Sequence, residues 1–158
     1  MPGKIFERVF FMIERTLVLI KPDGIKRKIM GEIISFYEQK DLNIVELKLV
    51  QCSRKTAEKH YEEHKGKSYF EELINYITSG KLCAMIIEGE EAINIVRKIN
   101  GNKDPNLAEL GSIRGKYADD RTKNLVHASD NFKNAEREIA IWFPDIVSKV
   151  AFDEKKFY

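Results

Sequence analysis

The stretch Asn124-Leu125-Val126-His127-Ala128-Ser129-Asp130 sets one of only three histidines beside an amide, a hydroxyl and a carboxylate. An imidazole in that company can act as acid, base, metal ligand or nucleophile. Serine, histidine and aspartate also make up a hydrolase triad. Residues two and three positions apart rarely form one, however, and no G-x-S-x-G elbow occurs in the chain. The other two histidines, in His60-Tyr61-Glu62-Glu63-His64, stand at i and i+4 and would share a helix face. A metalloprotease H-E-x-x-H needs glutamate directly after the first histidine, where this chain has Tyr61, so no protein-held metal is expected.

Cations form the second constellation. Lys21 ends an otherwise apolar run, Arg97 is the only arginine of its segment, and Lys103, Arg114 and Arg121 lie in a long aperiodic stretch. Cations from separate elements around one site suit a polyphosphate, because arginine forks onto phosphate oxygens. No Walker-type glycine loop is present, which excludes a P-loop mechanism. Tyr69 and Phe70 are adjacent at the start of a helical segment. Adjacent helix positions point about 100° apart, so one can enter the core while the other stays free to stack on a base.

The elements that must position these groups can be read from periodicity. Residues 15–21 form a strand apolar on both faces, hence central, stopped by Pro22-Asp23-Gly24. Helical spacing follows over 29–40, and alternation over 42–50 predicts a strand with one buried face. Ser53 caps a helix through Thr56 to His64, and a second helix runs from Tyr69 to Thr78 and ends at Ser79-Gly80. Leu82 to Ile87 is another buried strand, and Glu90 to Asn100 a helix ended by Gly101. Residues 102–123 lose all periodicity, which in a compact domain marks a functional loop. Leu125-Val126 is a short strand, Asp130 opens a helix from Phe132 to Phe143, and Pro144 ends it. The tail from Asp145 is irregular. Strands and helices interleaved in this order predict an α/β (α+β) sandwich: a ferredoxin-like four-stranded antiparallel sheet with a βαββαβ core.

The 158 residues suffice for one domain with a full core, here residues 13–158, preceded by an N-terminal extension over residues 1–12 that reads as an added strand or an arm. With 27 basic against 25 acidic side chains, the chain is not built mainly to coat nucleic acid, although a local basic pocket remains open. No apolar run approaches the roughly 18 residues a membrane span needs. Cys52 and Cys83 lie far apart in apolar runs, with neither a disulfide framework nor zinc spacing, which fits a reducing, cytoplasmic compartment.

Taken together, Glu14 to Gly24, Gly31-Glu32-Ile33-Ile34, His60 to His64, Gly111-Ser112-Ile113-Arg114-Gly115 and Asn124 to Asp130 resemble the nucleoside diphosphate kinase family, in one register from about Ile13 to Phe143. The resemblance implies a ping-pong phosphotransferase in which His127 takes the γ-phosphate of a nucleoside triphosphate and passes it to a nucleoside diphosphate. It further implies that Glu138 orients the ring and that Tyr61 and Ser129 support it. Lys21, Arg97, Arg114 and Asn124 would contact phosphates and sugar, and Tyr69 the base. Mg2+ would arrive on the nucleotide phosphates, and the chain would form a homo-oligomer, commonly a hexamer. His64 falls where some members have a histidine near the phosphates. Three positions depart from the pattern: Lys103 replaces a phosphate-binding threonine, Arg121 an aliphatic residue beside the base, and Lys116 an aspartate. All three add positive charge to the loop and predict salt-sensitive nucleotide binding. Two alternatives stand beside the kinase reading: an inactive nucleotide-binding relative, and a nucleic-acid-binding ferredoxin-like domain. The latter lacks the paired sheet aromatics of an RNA-recognition motif.

Overall fold

Leu17 to Ile20 and Leu82 to Ile87 carry apolar side chains at nearly every position, so strands built from them need cover on both faces. The computed structural model, which describes residues 12–146 and the backbone of 151–153, supplies that cover. In chain order the elements are β1 (Met12–Ile20), α1 (Pro22–Lys26), α2 (Met30–Glu38), β2 (Asn43–Gln51), α3 (Arg54–His60), a 3-10 turn (Glu62–His64), α4 (Phe70–Ile77), β3 (Lys81–Glu90), α5 (Ala92–Asn100), α6 (Ile113–Tyr117), β4 (Val126–Ala128), α7 (Phe132–Trp142) and β5 (Ala151–Asp153).

The sheet runs β2-β3-β1-β4, with every neighbouring pair antiparallel. This is the ferredoxin-like plan, with the pair α3–α4 inserted between β2 and β3. Alternate side chains of the central strands enter opposite cores. Leu17, Leu19, Leu82, Ala84 and Ile86 pack beneath α3, α4 and α7. Val18, Ile20, Cys83, Met85 and Ile87 pack against α2, α5 and Ile113 of α6. Both cysteines are buried and unpaired.

Several local expectations need correction. Pro22-Asp23-Gly24 does not simply stop β1 but starts α1, with proline at the first position of the helix, where its missing N–H costs nothing. A Cβ on Gly24 would lie 2.7 Å from Ile20 Cγ2, so the sharp return needs glycine. The helix expected to reach His64 ends at His60; Tyr61 leaves the helical region (φ −97°, ψ 22°) and a 3-10 turn follows. His60 and His64 therefore do not share a helix face. In β2 the register shifts between Ile44 and Glu46, and Leu47 and Leu49 are 45% and 52% exposed on the sheet edge rather than buried. The long loop is not structureless: Ser112 accepts the N–H of Gly115 at 3.0 Å and caps α6. Asn131, not Asp130, caps α7, accepting the Asn134 N–H at 2.9 Å. The tail is not wholly irregular, since β5 pairs with Met12–Glu14 of β1 alongside β4. Residues 1–11, assigned to an extension, lie outside the described residues; Met12 already belongs to β1.

Candidate active site

Lys21 leaves the end of β1, where a central strand delivers its next residue into the loops above the sheet. Its backbone N–H donates to Leu125 O at 2.8 Å, and Asp23 Oδ2 accepts the Leu125 N–H at 3.1 Å. These two bonds hold Leu125 at φ +75°, a left-handed conformation that a branched side chain rarely adopts. The strained residue is fully buried and stands two positions before His127. It turns the chain from the loop into β4, where His127 lies opposite Leu19 of β1.

His127 Nε2 forms a short hydrogen bond with Glu138 Oε1. A carboxylate only accepts, so Nε2 carries a proton, and in the neutral ring the lone pair is on Nδ1. Among the described residues nothing engages Nδ1, and the ring borders two cavities of about 200 and 710 Å³. Glu138 is buried at the end of the second turn of α7, while the His127 side chain retains 23% exposure. Behind them lies His60, 3% exposed, with its ring centroid 4.5 Å from that of His127 and the planes at 79°. Trp142 Nε1–H donates to His60 Nδ1 at 3.1 Å. Burial, then the neighbouring His127, push the His60 pKa well below the ordinary histidine value, so the ring is neutral with its proton on Nε2.

His60, His127 and Glu138 offer ligand atoms within 4.8 Å of one another. The lone pair of His60 is taken by Trp142, and Nε2 of His127 is committed to Glu138. The cluster is thus a hydrogen-bonded assembly rather than a preformed metal centre.

Cations line the opposite side. Lys21 is 7% exposed, and its Nζ donates to Asn124 Oδ1 at 2.8 Å. Burial first, then Arg114, lower its pKa to about 7. Arg114 is also buried; its guanidinium donates to Gly101 O at 2.7 Å, Val126 O at 2.6 Å and, through Nε, Asn124 O at 3.4 Å. Burial lowers its pKa to about 10. One arginine thus ties the end of α5 to the segment before His127. Gly101 serves that closure with φ +84°, and a Cβ there would lie 2.2 Å from Ser112 Oγ. Arg97 on α5 is half exposed and faces Asp130 at 3.8 Å. Lys103 borders both cavities.

Lys21, Tyr61, Tyr69, Lys103, Arg114, Asn124, His127 and Glu138 all border the 200 Å³ cavity, and Arg97 borders the larger one beside His127. Phe70 is buried while Tyr69 is 42% exposed, with its hydroxyl 2.8 Å from His64 Nδ1. Tyr61 is buried edge-on to His60, and burial raises its phenol pKa. Ser129 borders neither cavity: its Oγ accepts the Leu17 N–H at 3.3 Å and fastens the end of β4 to β1. Arg121 borders the smaller cavity and faces Asp104 at 3.6 Å. Lys116 lies instead over the Phe36 and Tyr117 rings, 5.9 and 5.1 Å from their centroids, and borders neither cavity. Sequence reasoning missed His60 as the neighbour of His127, Trp142 as the partner of His60, and Asp130 as the partner of Arg97. Nothing in local spacing links residues 60, 127 and 142. Asp130 was hidden by its resemblance to a helix cap.

The chain matches the family described as Nucleoside diphosphate kinase over residues 14–147. A nucleoside diphosphate kinase of Saccharolobus solfataricus is 54% identical over 130 residues, covering 82% of this chain and 94% of that protein. One from Sulfurisphaera tokodaii is 55% identical over 133 residues, covering 84% and 90%. Among solved structures, the apo cubic crystal form of nucleoside diphosphate kinase from Encephalitozoon cuniculi superposes with a TM-score of 0.83 at 40% identity, covering 85% of this chain and 91% of that one.

Proposed function

This chain belongs to the nucleoside diphosphate kinase family and has that activity, and we propose that His127 is the residue that carries the phosphoryl group. The Nδ1 lone pair of His127 attacks the γ-phosphorus. The new N–P bond forms as the bond from phosphorus to the bridging oxygen breaks, and the electron pair leaves with the nucleoside diphosphate. A second diphosphate attacks the phosphohistidine and reverses the step. The positive charge that develops on the ring is met by Glu138 at Nε2. The observation that carries the reading is this division of the imidazole: one nitrogen is held by a buried carboxylate, and the other is free beside two cavities bordered by cations.

Lys21, Arg114, Arg97 and Lys103 neutralise the phosphates, and Asn124, held by Lys21, contacts the phosphate or sugar. Phosphoryl transfer is mostly such alignment and charge neutralisation. Tyr69, exposed at the rim, stacks on the base. Magnesium takes oxygen ligands and keeps several waters. Asp130, which borders both cavities, would offer one such carboxylate oxygen, with the nucleotide phosphates offering others. When bound, the ion would add to the neutralisation of phosphate charge.

The chain works as a homo-oligomer, a hexamer in our reading. The exposed Leu47 and Leu49 on the β2 edge, and Leu107 and Leu110 at 68% and 88% exposure on the loop, support this, because apolar surface and an open sheet edge call for cover. Sedimentation of a species no heavier than the 18.4 kDa chain would refute it. Two buried free thiols support a reducing, cytoplasmic location. Among the described residues no helix is long and apolar enough to cross a membrane.

The direct test is incubation with γ-labelled ATP. We expect an acid-labile, base-stable label on the protein that is absent in His127→Ala. An unlabelled wild type, or a labelled variant, would overturn the assignment.

A further inference from the structure

We propose that His60 is a positioning residue for phosphoryl transfer: its ring, locked by Trp142, backs the His127 ring and holds it in the plane that Glu138 requires. The inference rests on His127 being the nucleophile.

Three residues of α7 act on the two histidines. Glu138 takes Nε2 of His127. Trp142, four positions on and on the same helix face, donates to Nδ1 of His60. Arg137 donates to the carbonyls of Lys59 and His60, at 3.0 and 3.4 Å, and so anchors the end of α3. His60 is thereby fixed at its backbone and at its ring. It stands perpendicular to His127 at 4.5 Å, edge against face.

A hydrogen bond to Glu138 constrains one atom of His127 but leaves the ring plane to turn about a torsion that is intrinsically broad. A rigid neighbour against the ring removes that freedom and aims the Nδ1 lone pair. The neutrality of His60 matters as well. Its Nδ1 lies 3.8 Å from Glu138 Oε1, so a cation there would compete for the carboxylate that His127 uses. Burial and the surrounding Arg137, Lys21, His64 and His127 hold it uncharged. Its Nε2 has no hydrogen-bond partner among the described residues, so the ring is held only by Trp142 at Nδ1 and by its packing.

The test is single-turnover phosphorylation of the full chain by ATP, followed by rapid quench, alongside ADP affinity by calorimetry and a melting curve. His60→Ala should phosphorylate about 10- to 100-fold more slowly, the cost of a misaimed reacting group, with ADP affinity within about twofold of wild type. His60→Asn, whose Oδ1 can still accept from Trp142, should recover part of the rate. A wild-type rate in His60→Ala, a loss confined to ADP affinity, or an Asn variant no faster than Ala would each overturn the proposal. Should neither fold, Trp142→Phe keeps the helix packing but removes the donor. A several-fold slower rate supports the role, and an unchanged rate overturns it. His127→Ala runs as the control: label retained there would mean that the nucleophile assignment has failed, whatever His60 does.

Discussion

His127 stands between two unlike walls. The α7 wall, formed by Glu138 with His60 and Trp142 behind it, is buried and held by side-chain hydrogen bonds. The loop wall, residues 101–124 together with Lys21 at the end of β1, is cationic and graded. Arg114 and Lys21 are buried and tied to carbonyl or amide oxygens, while Arg121 is 78% exposed and faces a single carboxylate. The α7 wall fixes the ring, and its one cation at the smaller cavity, Arg137, is already bonded to the carbonyls of Lys59 and His60. The loop wall offers charge, and among the described residues no hydrogen bond, ion pair or ring contact joins it to the His127 ring. On the proposed roles, alignment of His127 and recognition of the nucleotide are separable, and substitutions should sort by wall.

The largest separation is expected from Glu138→Gln. It should slow His127 phosphorylation by about 10²- to 10³-fold, the usual scale for a lost acid–base partner, while ADP affinity stays within about twofold. A comparable loss of ADP affinity by calorimetry would merge the two walls.

Lys21 provides the next test, through pH. Its folded pKa is about 7 against an ordinary 10.5, so across that window the unfolded chain binds a proton that the folded chain lacks. Stability of the nucleotide-free protein therefore rises with pH between those values. Phosphate favours the ammonium form, so ADP binding should draw in a proton, and affinity should fall by up to about tenfold per pH unit above 7. Calorimetry in buffers of different ionisation enthalpy reads the uptake, and Lys21→Met should abolish it. Proton uptake that persists in the variant would assign the effect elsewhere.

Salt sharpens the loop wall further. Lys103→Thr with Arg121→Val should weaken ADP binding by about fivefold at low salt and flatten its salt dependence, leaving the phosphorylation rate at saturating ATP nearly intact. Equal salt slopes in the two proteins would count against it. The smallest effect belongs to Lys116→Ala, which should leave ADP affinity within about 1.5-fold, because this cation lies over Phe36 and Tyr117 and borders neither cavity. A larger change would extend the wall to α6.

Local pattern is legible where chemistry and chain neighbourhood coincide. β1 and β3 announce themselves as doubly covered strands because their apolar residues alternate into two cores. Lys21 is conspicuous at the end of such a strand, and Tyr69 and Phe70 divide between rim and core as adjacent helix positions must. The exposed β2 edge is not legible: Leu47 and Leu49 alternate like core residues, and only the register shift beside Ile44 and the position of β2 at the sheet's end turn them outward. Nor is the division of the added loop charge legible: the fold sends Lys116 onto aromatic rings and brings Arg121 to Asp104 and the smaller cavity.

By itself the sequence determined the strands, the family signature from Asn124 to Asp130 and the supply of cations, since these depend on residue type and short-range spacing. Tertiary structure alone decided which nitrogen of His127 is free. That choice follows from α7 carrying Glu138 to Nε2, from Lys21 and Asp23 holding Leu125 in a left-handed turn, and from His60 arriving from α3 against the ring. Those contacts join residues up to about a hundred positions apart in sequence, such as Asp23 and Leu125. A lone pair's direction depends on such packing, which no local spacing encodes.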